Sequence, residues 1–94
     1  MQKAVIYYQL EQNRELDEEV KQIESIIKKI DAEILGVFVD LYDSNDELIN
    51  MTTNDLSVIS YLYVNKPFVD EFNQKLLQEL SRQEQFDIKY FDDI

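Results

Sequence analysis

Hydroxyl, carboxylate, lysine and tyrosine side chains are what this chain offers for chemistry, because it contains no histidine and no cysteine. Without imidazole and thiol groups, the usual nucleophile and base pairs, disulfide bonds and most zinc sites are excluded. Ser44 and Ser60 have no evident base beside them, and we interpret them as a turn residue and a strand residue. The sequence therefore predicts no catalytic residue, no cofactor and no metal site.

One acidic segment has the spacing of a calcium-binding loop. Asp43, Asn45 and Glu47 fall at the first three ligand positions of such a loop. However, Leu48 stands at the sixth position, where glycine is needed, and Asn54 stands at the twelfth, where a bidentate glutamate is needed. We interpret the segment as an ordinary solvated acidic loop.

The charge of the chain excludes one class of partner and suggests another. Twenty Asp and Glu against nine Lys and Arg give a formal net charge of −11, which repels nucleic-acid phosphates. No apolar run approaches the length of a membrane span, so we expect a cytoplasmic protein that binds neither membrane nor nucleic acid directly. The stretch between residues 30 and 65 contains no Lys or Arg, which favours either simple solubility or a contact surface for a basic protein.

Four apolar segments predict the strands of a sheet. Residues 4–8, 34–39 and 58–64 are nearly continuous apolar runs, as is typical of parallel strands that are buried on both faces. Residues 86–90 alternate apolar and charged side chains, which indicates a strand with one face in solvent. We expect the first and third strands to be central and the last strand to lie at an edge.

Two amphipathic segments predict helices, one from about residue 14 to 31 and one from Pro67 to Arg82. Asn13 is expected to cap the first helix, and Pro67 to lie in the first turn of the second. The apolar stripes should face the sheet; they comprise Leu16, Val20, Ile23, Ile26, Ile27 and Ile30 in the first helix, and Phe68, Phe72, Leu76, Leu77 and Leu80 in the second.

The order of these elements predicts the fold. Residues 40–56 are rich in turn-forming residues, and we interpret them as a loop with one helical turn, which Leu48, Ile49 and Met51 could anchor. The chain then reads β, α, β, short insertion, β, α, β over one domain of residues 1–94. Right-handed crossovers give an α/β fold, a small four-stranded, mainly parallel sheet in the order 2-1-3-4 flanked by helices.

Four segments of the chain resemble the N-terminal catalytic domain of serine recombinases, the resolvase and invertase group. They are AVIYYQLEQNRELDEEVKQIESI, EILGVFVD, VISYLYVNKPFVDEF and FDIKYFDD, and together they span nearly the whole sequence. The resemblance implies a resolvase-like fold and an origin in a phage or another mobile element. The chain ends at Ile94, where that family continues into a dimerisation helix and a DNA-binding segment.

The resemblance also implies where the catalytic groups of that family would fall. When Leu16 and Asp17 are matched to the Leu-Asp pair that opens the family's first helix, its arginine falls on Tyr8 and its nucleophilic serine on Leu10. The family's Asp-Arg-Leu-x-Arg-Asp segment matches NKPFVD at residues 65–70, where both arginines are absent. Cleavage through a phosphoserine needs a hydroxyl and several guanidinium groups, so the resemblance implies a scaffold without that activity.

Three functions stay open at this point. The first is a non-enzymatic interaction or regulatory protein that binds a basic protein partner. The second is an acidic mimic of DNA that occupies the groove of a DNA-binding protein. The predicted partner-binding residues lie after the strands, on the edge of the sheet where ligands bind in such folds; they are Asp40, Asp43, Asp46, Glu47, Glu11 and Lys66.

The third function is a small-ligand binder or enzyme that uses Tyr8, Glu11, Asn65 and Lys66 around the crevice. Inward packing of Tyr8 and Leu10 would argue against it, whereas a polar pocket bounded by Glu11 and Lys66 would favour it. Because charges guard the last strand, we expect a monomer or a weak homodimer.

Overall fold

Helices and strands alternate along the chain in a computed structural model that describes residues 2–94. The elements of this part of the chain are β1 (Lys3–Gln9), α1 (Leu16–Lys29), β2 (Glu33–Asp40), α2 (Asp46–Thr52), β3 (Tyr61–Val64), α3 (Glu71–Glu84) and β4 (Asp87–Tyr90). Short 3-10 turns at Leu56–Val58 and Phe91–Asp93 precede β3 and follow β4. Over residues 2–94, no helix has both the length and the apolar composition needed to cross a bilayer.

The strands form one sheet in the order β2-β1-β3-β4, and every neighbouring pair is parallel. Ile6 of β1, for example, is in register with Val37 of β2 and Tyr63 of β3. The predicted α/β class and strand order are confirmed, and the sheet is parallel throughout residues 2–94 rather than mainly parallel. As predicted, β1 and β3 are central and β4 lies at an edge.

Two apolar cores lie on opposite faces of the sheet because the side chains of β1 alternate between them. Ala4, Ile6 and Tyr8 pack on the face that α1 covers, together with its buried Ile23 and Ile26. Val5 and Tyr7 pack on the other face, with Leu48 and Met51 of α2 and Leu77 of α3 at its centre. The five consecutive buried residues of β1 are therefore the shared wall of both cores.

The helices begin later than predicted, and different residues cap them. Asn13 does not cap α1; it lies in a turn with a φ of 64°, and Glu15 precedes the helix without a side-chain cap. Pro67 lies outside α3, whose cap is Asp70, because the Asp70 carboxylate accepts a hydrogen bond from the Phe72 backbone N–H at 2.8 Å. The predicted cap at Asn13 and the predicted helical position of Pro67 are therefore both wrong, because each residue lies in the loop before its helix.

Two predicted strands differ from the observed ones. β3 begins only at Tyr61, because the Asp55 side chain accepts from the Ser57 N–H and holds the preceding residues in a 3-10 turn. β2 was expected to be buried on both faces, yet Leu35 and Val37 keep 45% and 40% of their surface exposed. That expectation is wrong because β2 is an edge strand of the sheet.

The insertion between β2 and β3 contains the predicted short helix. α2 buries Leu48 and Met51 completely, whereas Ile49, on the same helix, is 49% exposed. The apolar stripe of α1 is likewise wider than its packed face. Leu16, Val20 and Ile27 are each exposed by 36% or more, so only part of that stripe faces the sheet as predicted.

Truncation of Met51 should destabilise the protein, whereas the same truncation of Ile49 should not. Met51→Ala removes fully buried methylene groups and leaves a cavity, so we expect the free energy of unfolding to fall by about 2–5 kcal/mol. Ile49→Ala, the control on the same helix, should change it by less than about 0.5 kcal/mol. Urea unfolding of both variants measures the difference, and equal losses would contradict the placement of α2.

Candidate functional site

The carboxyl ends of the strands meet at one edge of the sheet because the strands are parallel. Two adjoining cavities open there, and Gln9 and Lys66 line both of them. The larger cavity, of about 510 Å³, lies between the β2–α2 loop and the β3–α3 loop, and we call it the carboxyl-end groove. The smaller one, of about 380 Å³, lies beside the β1–α1 loop, and we call it the polar cavity.

Apolar side chains are exposed on both loops that flank the carboxyl-end groove. Leu41 is 68% exposed, Tyr42 57% and Val69 96%, and all three line the groove. Phe72, predicted to face the sheet, is instead 66% exposed in the first turn of α3. Single exposed apolar residues are ordinary, whereas a cluster of them around a concavity is typical of interaction surfaces.

The acidic residues predicted at this edge do not all face solvent. Asp43 and Asp46 are exposed and Glu47 is half-buried, on the β2–α2 loop and the first turn of α2. Asp40 is the exception, because only 2% of its surface is exposed. Asp40 must therefore be removed from the predicted partner-binding surface, whereas Asp43 lines the carboxyl-end groove.

The buried carboxylate of Asp40 joins β2, β1 and α2. Its Oδ1 accepts a hydrogen bond from the Glu47 N–H at 2.7 Å, and its Oδ2 accepts one from the Leu48 N–H at 3.0 Å. The Tyr7 hydroxyl donates to the same Oδ2. Burial and then the Asp40 carboxylate raise the pKa of Tyr7 well above its ordinary value, so the phenol stays a donor.

Tyr8 and Arg14 meet Glu19 in the wall of the polar cavity. The Tyr8 hydroxyl donates to Glu19 Oε2 at 2.8 Å, and Arg14 Nε donates to Glu19 Oε1 at 2.8 Å. The hydrogen bond from Tyr8, followed by that from Arg14, lowers the pKa of the Glu19 carboxyl. Burial and the hydrogen bond to Glu19 raise the pKa of Tyr8 above its usual range.

Glu11 and Lys66 form an ion pair in the wall of the polar cavity. Lys66 Nζ lies 3.5 Å from Glu11 Oε1, and both residues line the cavity. Asn65 has another role: its amide accepts from the Gln9 N–H at 2.8 Å and donates to the Gln9 carbonyl at 2.9 Å. Asn65 therefore extends the pairing of β1 with β3, and its side chain is occupied by that contact.

The two positions that the resemblance matches to catalytic groups are buried. Tyr8 is 3% exposed and Leu10 2%, and both belong to the core that α1 covers. Leu10 offers no nucleophile, and the Tyr8 hydroxyl is engaged by Glu19. The inward packing of Tyr8 and Leu10 argues against the hypothesis of a small-ligand binder or enzyme. The presence of a polar cavity bounded by Glu11 and Lys66 argues for it.

Comparison of the chain with known proteins found no relative. No family model, no curated protein and no solved structure matches it. The likeness to serine recombinases therefore stays a prediction from the sequence segments. Within residues 2–94, no cluster of three or more acidic, histidine or cysteine side chains is arranged to hold a metal ion.

Replacement of Asp40 by asparagine should destabilise the protein. An amide has one acceptor oxygen, so its NH2 group would face backbone N–H groups that the carboxylate now satisfies. We expect the free energy of unfolding to fall by about 1–3 kcal/mol. The control is Asp43→Asn on the adjacent loop, where φ is 61° and asparagine is well tolerated. Denaturant unfolding that shows no difference between the two variants would contradict the network.

Glu19 should make stability depend on pH in the acidic range. Because its pKa is lowered on folding, its contribution is complete above the ordinary value of 4.5 and is lost as pH falls through the folded value. The stability advantage of wild type over Glu19→Gln should therefore shrink between about pH 6 and pH 3. Urea midpoints at both pH values measure it, with Glu24→Gln, exposed on the same helix, as the control. An advantage that does not change with pH would contradict the assignment.

Proposed function

We propose that this protein is a non-enzymatic interaction protein that binds a basic protein partner at the carboxyl-end groove. In this proposal the chain has a scaffold of the serine recombinase type, with Tyr8 and Leu10 at the positions of the catalytic arginine and serine. The partner inserts apolar side chains between the β2–α2 and β3–α3 loops and places cations against the surrounding carboxylates.

The exposed apolar cluster is the observation that supports this proposal best. Leu41, Tyr42 and Val69 border a groove of about 510 Å³, and Phe68 lies nearly buried beside them in its wall. Burial of apolar surface contributes about 25 cal/mol per Å², so a partner that covers these side chains gains affinity from each of them. Aromatic and aliphatic anchors in a partly enclosed pocket are typical of protein interfaces.

The charge around the groove favours a basic partner. The segment between residues 30 and 65 contains seven carboxylates and no cation: Asp31, Glu33, Asp40, Asp43, Asp46, Glu47 and Asp55. The β3–α3 loop adds Asp70, and Lys66, the cation that lines the groove, is paired with Glu11. Such a field accelerates the approach of a cationic surface and repels an anionic one.

One polar atom in the wall of the groove is shielded from solvent and has no hydrogen-bond partner within residues 2–94. It is Oδ1 of Asn73, in the first turn of α3. A shielded acceptor without a donor costs free energy, and a rotation of the Asn73 side chain towards the groove would let a donor from a bound partner satisfy it. Asn73 is therefore a candidate contact for a backbone N–H or a lysine of the partner.

The polar cavity supports the small-ligand alternative less well. Arg14 lies 2.8 Å from Glu19, and Lys66 lies 3.5 Å from Glu11, so each cation in its wall already has a carboxylate. An anionic ligand would have to displace these carboxylates. A DNA mimic, the other alternative, requires carboxylates but no apolar cluster, so the two hypotheses differ in the role of Leu41 and Tyr42.

A quantitative capture experiment tests the proposal. The tagged protein, incubated with lysate of its source cell, should retain one or more basic proteins at about 0.1 M salt and lose them at about 1 M, where the Debye length falls to about 3 Å. Leu41→Ser with Tyr42→Ser should reduce this capture at least about tenfold, the effect of losing 1.4 kcal/mol. Ile49→Ser, an exposed apolar residue on α2, is the matched control and should capture as the wild type does.

The other outcomes separate the hypotheses. Capture that salt abolishes but that Leu41→Ser with Tyr42→Ser leaves unchanged would contradict the groove and support the DNA mimic. A lysate in which no protein binds in a salt-dependent way would contradict both.

A further inference from the structure

The outer side of β2 has backbone groups without partners. The Asp40 carbonyl accepts a hydrogen bond from the Leu10 N–H at 3.0 Å, so the backbone groups of Asp40 point towards β1. Successive residues of a strand point their N–H and C=O groups to opposite sides, so those of Val37 and Val39 point away from β1. Within residues 2–94, nothing donates to or accepts from these groups.

The two edges of the sheet differ in protection. β4 spans four residues and contains the charged Asp87 and Lys89, which guard an edge against pairing. β2 spans eight residues, and its residues 34–39 are uncharged; a bulge at Leu35 interrupts its register near the beginning, so the regular edge runs from Gly36 to Asp40. A long uncharged edge strand is the kind that accepts an additional strand.

Apolar surface is accessible on both faces beside this edge. On the α2 face, a cavity of about 180 Å³ is lined by Leu35, Phe38, Met51 and other apolar residues, and Leu35 is 45% exposed. On the α1 face, Val37 is 40% exposed. Side chains of an added strand alternate between the two faces, so successive apolar residues would find the cavity on one side and Val37 on the other.

The charge next to the edge decides which strand fits. Asp31 precedes β2 and Glu33 is its first residue, Asp43 follows its end, and Asp55 lines the cavity on the α2 face. With no Lys or Arg between residues 30 and 65, a second copy of this chain that pairs through its own β2 would bring the same carboxylates to this edge. A segment with basic residues on both sides of its apolar centre complements these charges.

We propose that the outer edge of β2 binds an extended segment of a partner by β-strand addition, and that this segment has apolar side chains at its centre and Lys or Arg at its ends. The added strand pairs with the N–H and C=O groups of Val37 and Val39. This surface is separate from the carboxyl-end groove, so either docking site can fail without the other.

A synthetic peptide tests the proposal on the whole chain. The probe is KRVTVTVRK, acetylated, amidated and labelled for fluorescence anisotropy, and its matched control is EEVTVTVEE. We expect the basic peptide to bind, the acidic one not to, and the affinity to fall as salt is raised. When the free peptide concentration is ten times the dissociation constant, hydrogen exchange of the Val37 and Val39 amides should slow by about tenfold. Exchange of the Ile49 amide should not change.

Two further comparisons isolate the backbone contact. Val37→Pro removes an N–H that β1 does not use, so the pairing of β1 with β2 is kept, and peptide binding should weaken at least about tenfold. Val37→Thr keeps that N–H and should bind as the wild type does. If Val37→Pro fails to fold, wild-type protein with a probe that is N-methylated on alternate amides gives the same information, because the methyl groups block pairing along one side of the peptide.

The proposal is overturned by a dissociation constant above about 1 mM for the basic peptide, or by binding that leaves exchange at Val37 and Val39 unchanged. Equal binding of both peptides would overturn the predicted charge of the partner. Protection of the two amides that rises with protein concentration, without peptide, would identify a second copy as the occupant. Leu41→Ser with Tyr42→Ser should leave peptide affinity unchanged, which separates this result from the test of the groove.

Discussion

The buried carboxylate of Asp40 is the interaction on which the carboxyl-end edge depends. It lies at the end of β2, accepts hydrogen bonds from the first turn of α2, and receives the hydroxyl of Tyr7 from β1. A buried anion is stable only when such donors compensate for its lost hydration. These contacts fix both ends of the β2–α2 loop, and Leu41 and Tyr42 lie exposed between them.

This arrangement explains how a small chain combines a strong negative charge with exposed apolar residues. The apolar cores cover both faces of the central strands, and several of the apolar side chains outside them lie at the edges of the sheet: Leu41, Tyr42 and Val69 at the groove, and Leu35 and Val37 on β2. The carboxylates around them keep these surfaces hydrated, and in our proposal they select for cationic partners. Both proposed docking surfaces therefore use the same physical combination, apolar contact within an acidic surround.

The fold was largely predictable from the sequence because its signals are local. Continuous apolar runs at residues 4–8 and 58–64 indicate strands buried on both faces, and right-handed crossovers then leave few strand orders. The site was less predictable because its geometry depends on tertiary contacts. Asp40 reads as a surface acid, and only the N–H groups of α2 above it explain its burial.

Two further differences between the predicted and the observed structure also depend on tertiary contacts. Phe72 follows the apolar spacing of α3, but it lies in the first turn, beyond the part of the helix that the sheet covers. Leu41 and Tyr42 belong to no periodic pattern at all. Large apolar residues outside a helical or strand pattern were the signal that could have located the groove. The prediction of a binding surface used the acidic residues around them instead.

Site-specific photocrosslinking tests the central claim most directly, because it reports contact at one side chain. With p-benzoylphenylalanine in place of Tyr42, illumination in the source cell should yield a discrete adduct with a basic protein. The same group in place of Val58, which is 49% exposed on the 3-10 turn before β3, should not yield it. The absence of an adduct from position 42, or the same adduct from both positions, would contradict the account of the carboxyl-end groove.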